Sequence, residues 1–298
     1  MKLLVKGKVK EVYELDAGTL RFRFTDQISV FDKIIPSLIP RKGESLCRTS
    51  AYWFQLAKSN GMDTHFLGMP APNEMDVKRI RQVKKMDMPD SERKNVMLPL
   101  EFICRHFVAG SMWDRLKSGK VDKKDLGIEG EPEYGMRLPE PLFEVTTKFE
   151  EFDRSIQFRE AIGSLGLRKE ELESARDMAL KMDSIIAGEV EPRGLLHVDG
   201  KKEFALGAEG QLMLIDTFGT LDEDRFWDAG AYAQGRFVEL SKEYVRQYYR
   251  GTGYHEALME ARELKQAEPD IPELPLQMIE DTAELYAKLF ERITGQRF

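Results

Sequence analysis

Cys47 and Cys104 are the only cysteines in 298 residues, too few for a disulfide framework or a four-cysteine zinc site. Long apolar runs are missing as well. No stretch approaches the roughly 18–20 residues that a membrane span needs. Basic residues are not in excess: 45 Lys and Arg stand against 52 Asp and Glu, a net charge of −7. That balance argues against a protein that coats nucleic acid, while a local basic pocket for a small anion stays open. The four histidines, His65, His106, His197 and His255, show no HExxH or paired spacing and read as structural rather than as ligands. Internal repeats, heptads and low-complexity tracts are absent. Charge inside the opening apolar segment, Met-Lys-Leu-Leu-Val-Lys-Gly-Lys, leads us to expect no signal peptide and a cytoplasmic location.

What is present suffices for sizeable cores. Hydrophobic residues make 42% and charged residues 33%, a globular rather than a disordered balance. The length favours two lobes, expected at residues 1–112 (β-rich) and 113–298 (α+β). Leu20-Arg21-Phe22-Arg23-Phe24 alternates strictly, which puts Leu20, Phe22 and Phe24 on one face of a strand. The turn signal Asp16-Ala17-Gly18 joins it to a partner over Val9–Leu15. A helix is expected over Thr49–Ser59, a surface excursion over Met69–Lys94, and a buried strand over Met97–Val108. Residues Ser118–Arg137 read as a glycine-rich loop. Apolar stripes predict helices over Glu170–Ile186 and Leu276–Ile293, packed in the core. Lys202–Leu206 and Gln211–Ile215 flank a turn and predict a hairpin. The fold class is α+β with antiparallel sheets.

Three constellations could carry chemistry. Lys6-Gly7-Lys8-Val9-Lys10 lets backbone amides and ammonium groups converge on a polyphosphate, without the spacing of a P-loop; a solvated basic strand is the plainer reading. Leu98 to Ser111 carries Glu101 and Arg105 on an apolar strand, where an unpaired charge is costly. Either the two pair internally at a lobe junction, or Arg105 joins Gly110 and Ser111 in an anion site. The third is Glu203 with Asp216 on or beyond paired strands. Two such carboxylates suit a hard cation such as Mg²⁺ carried by ATP; solvated hairpin charges are the alternative.

These segments resemble the SAICAR synthetase family over nearly the whole chain. The Leu98–Ser111 run fits its signature, and Gly7-Lys8-Val9-Lys10-Glu11-Val12-Tyr13 is similar to its nucleotide-binding strand. Thr25–Asp32, Ile39–Glu44, Pro141-Leu142-Phe143, Thr147-Lys148 and Asp153 follow in family order, as do Asp199, Lys201, Glu203-Phe204, Asp216, Thr220, Asp222, Arg225-Phe226-Trp227 and Ser241-Lys242. The resemblance implies a two-lobed fold related to kinase-like and ATP-grasp nucleotide-binding lobes. It also implies a purine-pathway ligase that uses ATP and Mg²⁺ to join L-aspartate to carboxyaminoimidazole ribonucleotide. By motif position, Gly7, Lys8 and Lys10 would hold ATP, and Glu203 and Asp216 the metal. Arg105, Gly110 and Ser111 would hold the ribonucleotide phosphate, and Asp222 and Lys242 further substrate groups. Lys201, Asp153 and Arg225 would serve catalysis. Small-molecule substrates are the expected partners, with no nucleic acid or membrane; a homo-oligomer stays open.

The chain also departs from the family pattern. Thr217 replaces a usual acid, Leu221 a usual Pro, and Glu223 and Asp224 two small hydroxyl residues; Lys202 and Ala205 replace an apolar residue and a glycine. Phe152 stands for a usual His, and Glu243 for a usual Gln. Acids at 223 and 224 would repel an anionic substrate, so a changed amine specificity is expected. A paralogous ATP-dependent amide ligase with a different amine or carboxylate is therefore the second reading. A nucleotide-binding relative without catalysis is the third.

Overall fold

The computed structural model describes residues 1–150 and 154–298. Strands β1 (Lys2–Lys6), β2 (Lys10–Glu14), β3 (Thr19–Phe24), β4 (Gln27–Val30) and β5 (Lys33–Leu38) lead into helix α1 (Lys42–Ser59). Then come β6 (Asp63–Thr64), β7 (Phe66–Ala71), β8 (Glu74–Lys78), β9 (Val96–Met97), β10 (Leu100–Phe107) and α2 (Gly110–Lys117). The middle of the chain forms β11 (Arg137–Thr147), β12 (Ser155–Ile156), α3 (Phe158–Leu165) and α4 (Lys169–Val190). Strands β13 (Leu195–Leu206), β14 (Leu212–Ile215) and β15 (Asp224–Asp228) follow, then α5 (Ala229–Tyr232), α6 (Glu243–Gly251), α7 (Tyr254–Glu263) and α8 (Leu276–Thr294).

One sheet has the order β1-β2-β3-β8-β7 and is antiparallel throughout. The alternation in β3 works as expected: Phe22 and Phe24 are buried. Arg21 and Arg23 on the other face pair with Asp76 at 2.7 Å and Glu74 at 2.8 Å. The strands β7 and β8 correct the expectation of a surface excursion from Met69. Pro70 and the bulges of β7 are tolerated because β7 is an edge strand, where a missing N–H breaks no ladder bond. The larger sheet runs β12-β11-β10-β13-β14-β6, with β15 and β9 also pairing β13. Helix α4 lays Leu172, Ala175, Ala179, Met182 and Ile186 on Phe102 and Phe204 of that sheet. A single buried cluster continues from there through Trp53 and Phe54 of α1 to Phe22, Met75 and Val77 of the first sheet. The expected boundary at 112 falls beyond β10, whose hydrogen-bonded neighbours β11 and β13 both belong to the second segment.

Candidate active site

Strand periodicity builds the site. In β10, Glu101, Ile103 and Arg105 share one face because side chains alternate; Phe102 and Cys104 turn into the core. The register sets Arg105 opposite Asp199 and Ile103 opposite Lys201, and β15 sets Arg225 opposite Asp199. Glu101, Arg105, Asp199, Lys201, Glu203 and Arg225 therefore lie on one face of a buried sheet. The expected Glu101–Arg105 pair is not formed. Four residues along a strand are roughly 13 Å apart, so each finds partners on other strands. Arg105 Nε donates to Glu144 at 2.8 Å, and its Nη atoms to Asp199 at 3.0 Å and Ser111 Oγ at 3.3 Å. Arg225 Nη1 donates to the same Asp199 at 2.6 Å. Gly110 opens α2 at φ +51°, and a Cβ there would sit 2.6 Å from Arg225 Nη2, so a side chain would push this guanidinium aside. Two arginines, Ser111 and the start of a helix thus meet in one place.

Further along the face the signs mix. Lys201 Nζ lies 2.8 Å from Glu101, 3.2 Å from Glu223 and 3.8 Å from Glu203. Lys148, just past the end of β11, donates to Glu203 at 2.5 Å. A cleft of about 1080 Å³ lies between the two sheets, lined by Gly7, Lys8 and Lys10 from the first and by Lys148, Glu203 and Asp216 from the second. Its walls include Val12, Leu20, Phe22, Met97 and Ile215, an apolar stretch that suits a flat ring beside a polar end. Lys10 pairs with Asp216 across the cleft, and the more exposed Lys8 with Asp32 at 2.6 Å. Thr217, Thr220, Asp222 and Glu223 line the cleft from the loop after β14. Asp222 accepts from Lys42 at 2.8 Å and from Tyr286 Oη at 2.5 Å, with Lys242 at 4.0 Å.

Burial and the neighbouring Asp216 charge push the Glu203 carboxyl above the usual carboxylate range. Burial opposes ionisation of Asp216 too, but Lys10 and Lys148 outweigh it and hold the group below the usual carboxylate range. Pairing across β13 and β14 matches Glu203 with Ile215, so Asp216 follows one residue beyond. Two crowded, oxygen-only donors beside a lysine-rich cleft fit a hard divalent cation. Burial lowers Lys242, with Asp222 acting against it.

His106, Asp183 and His197 converge, which their scatter in sequence did not suggest. Lys202, wholly buried, already donates to Asp183, and none of the three lines the cleft. Asp224 corrects a second expectation. It is 3% exposed, accepts from His197 Nε2 and Gly219 N–H at 2.7 Å each, and is not among the cleft's lining residues. Glu223 does face the cleft, but beside Lys201 rather than alone. Asp153 and Phe152 lie outside the described residues. Lys148, Lys42, Thr217 and Thr220 were not singled out as site residues from sequence; only the strand register and the fold of the loop bring Lys148, Thr217 and Thr220 to the cleft and set the buried Lys42 behind Asp222.

The family model described as SAICAR synthetase matches residues 3–261. The chain is 51% identical, over all of both chains, to a phosphoribosylaminoimidazole-succinocarboxamide synthase of Thermoplasma acidophilum. Its fold is similar to a SAICAR synthetase solved in complex with ADP, at a TM-score of 0.71 and 26% identity, covering 99% of this chain and 98% of that one. It is similar also to the Saccharomyces cerevisiae SAICAR-synthase complexed with SAICAR, at a TM-score of 0.74 and 24% identity, covering 99% and 95%.

Proposed function

Because the chain belongs to the SAICAR synthetase family, we propose that it is an ATP-dependent ligase of purine biosynthesis, joining carboxyaminoimidazole ribonucleotide to L-aspartate. The observation that carries the reading is the single sheet face running from Glu203, beside the lysine-lined cleft, to the paired arginines Arg105 and Arg225. Two phosphate-bearing reactants need two cationic sites joined by one reaction space, and this face supplies both ends. We assign Gly7, Lys8 and Lys10 to ATP, and Arg105, Gly110, Ser111 and Arg225 to the ribonucleotide phosphate.

A carboxylate is a poor acyl donor. One of its oxygens attacks the γ-phosphorus of ATP, ADP leaves, and an acyl phosphate results. The amine of aspartate then attacks the acyl carbon and phosphate departs with that oxygen. Holding the amine against the acyl phosphate makes the second step effectively unimolecular. Lys10 and Lys148 place positive charge where the phosphoryl group passes, and Lys201 lies between the two ends. Mg²⁺ would be held by Glu203 and Asp216, and when bound it supplies neutralisation of phosphate charge. Asp222 and Lys242 lie on the side left for the amino acid, with Lys201 screening Glu223. A chain of this kind works in the cytoplasm.

The test is ADP release by the pure protein as each substrate is withheld in turn. Multiple-turnover release should require ATP, the ribonucleotide and aspartate together, and Glu203→Gln should lower it by at least 100-fold with the fold intact. Sustained release without an amine, beyond one ADP per protein, or faster turnover with a neutral or cationic amine than with aspartate, would overturn the reading. The second outcome would restore the changed specificity suggested by the acids at 223 and 224.

A further inference from the structure

We propose that Asp224 is a positioning residue that clamps the cleft loop 217–223 onto a buried charged network, with Lys202 as its cationic partner. The inference rests on the reading of the cleft given above, and it concerns residues that touch no substrate. The clamp is at Gly219. Its N–H donates to Asp224 Oδ1 at 2.7 Å, and its carbonyl accepts from Trp53 Nε1 of α1 at 2.9 Å. Both hydrogen-bonding groups of this residue are thus taken from opposite sides. Its φ is +68°, and a Cβ would lie 2.3 Å from the indole nitrogen, so only glycine fits between the two partners. Thr217 and Thr220 lie on either side of this point, and Asp222 and Glu223 follow; all four line the cleft.

The clamp has a rigid foundation. The second oxygen of Asp224 accepts from His197 Nε2 at 2.7 Å and lies 3.9 Å from Lys202 Nζ. Lys202 donates to Asp183 of α4, which also meets His106 Nε2 at 3.1 Å. The side chains of Lys202, Asp183, His197 and Asp224 are all fully buried. Breaking one side of such a network leaves an uncompensated charge in a low-dielectric interior, so it resists rearrangement. Neighbouring residues of β13 divide the work. Lys201 meets Glu223, a residue of the cleft lining, while Lys202 faces the core and meets Asp224. The acids at 223 and 224 are thereby matched by lysines at 201 and 202, one pair on each face of the strand. Arg225 is held separately by its own pairing to Asp199 on β13. Loss of the clamp should therefore disturb the loop and leave the arginine site in place.

Two readouts on the full chain test this. In Asp224→Ala, the Gly219 amide should exchange with deuterium at least 100-fold faster than in the wild type, and Asp224→Asn, which keeps an acceptor oxygen, should stay within tenfold. In turnover, Asp224→Ala and Trp53→Phe should each raise KM for the amino acid at least tenfold and change KM for the ribonucleotide less than threefold; Asp224→Asn should restore it. Unchanged Gly219 exchange in a folded Asp224→Ala would overturn the proposal. So would faster exchange with every KM preserved, which would reduce Asp224 to a stabilising role. If Asp224→Ala fails to fold, Trp53→Phe carries the same comparison from the other side of Gly219. A wild type that consumed no ATP with these substrates would count against the ligase reading, and the exchange arm would still decide the clamp.

Discussion

At the scale of single residues, the charges that matter are the ones with two or more partners. Arg105 spreads its fork over Glu144, Asp199 and Ser111, and a lysine cannot reproduce that geometry. Arg105→Lys should cost about 1.5–3 kcal/mol of ribonucleotide binding, roughly a 10- to 150-fold rise in KM, measured on the folded variant. His65, 3% exposed and packed against Phe22 and Phe54, makes a second prediction. Burial holds its imidazole down at about 3, so the folded chain keeps it neutral while the unfolded chain protonates it below about 6.5. The unfolded state then binds more protons, and stability falls as pH drops through that window. Between pH 6.5 and 5 the wild type should lose about 1.6 kcal/mol relative to His65→Leu, read from denaturant melts at each pH. Equal losses in both proteins would contradict this. Sequence alone singled out Glu203, Asp216 and Arg105, because charged types beside apolar strands stand out, and Ser111 through the Gly110-Ser111 turn that follows one of them. It misjudged Asp224, since nothing local shows which side of the loop faces the core.

At the scale of elements, alternation made β3 readable, the turn between Leu206 and Gln211 did the same for the β13–β14 hairpin, and helical stripes for α4 and α8. Long-range support was invisible. Helix α1 begins at Lys42, seven residues before the expected start, because a side chain outside the helix caps it. Asp26 accepts from Gly43 N–H at 3.0 Å and Arg41 N–H at 3.3 Å, satisfying donors that a helix start leaves free. Asp26→Ala should cost about 0.5–2 kcal/mol of stability. Since Lys42 carries Asp222, it should also weaken the amino-acid side of the cleft more than the ribonucleotide side. A variant as stable as the wild type would refute the cap. The strands β7 and β8 were hidden for the opposite reason: Pro70, Pro72 and Asn73 are turn-type residues, but Pro70 is tolerated because β7 is an edge strand, and Pro72 and Asn73 form the turn between the two strands.

At the scale of the molecule, an acidic chain concentrates its lysines where its reactants are most anionic. Lys8, Lys10 and Lys148 line the cleft between sheets, and Lys201 adjoins it, so the net charge of −7 says little about what is bound. A β-rich first part and an α+β remainder were read from composition and turn signals. That β10 lies early in the chain yet pairs with β11 and β13 was not legible, because strand pairing at that distance leaves no local mark. The chemistry proposed for this cleft is activation of a carboxylate as an acyl phosphate and its transfer to an amine. It is tested most directly by supplying carboxyaminoimidazole ribonucleotide labelled with ¹⁸O in its carboxylate, together with ATP and L-aspartate. Mass spectrometry of the products should find one ¹⁸O in each phosphate released and the other retained in the new amide. Phosphate free of ¹⁸O, or ADP formed without the amide, would contradict the account.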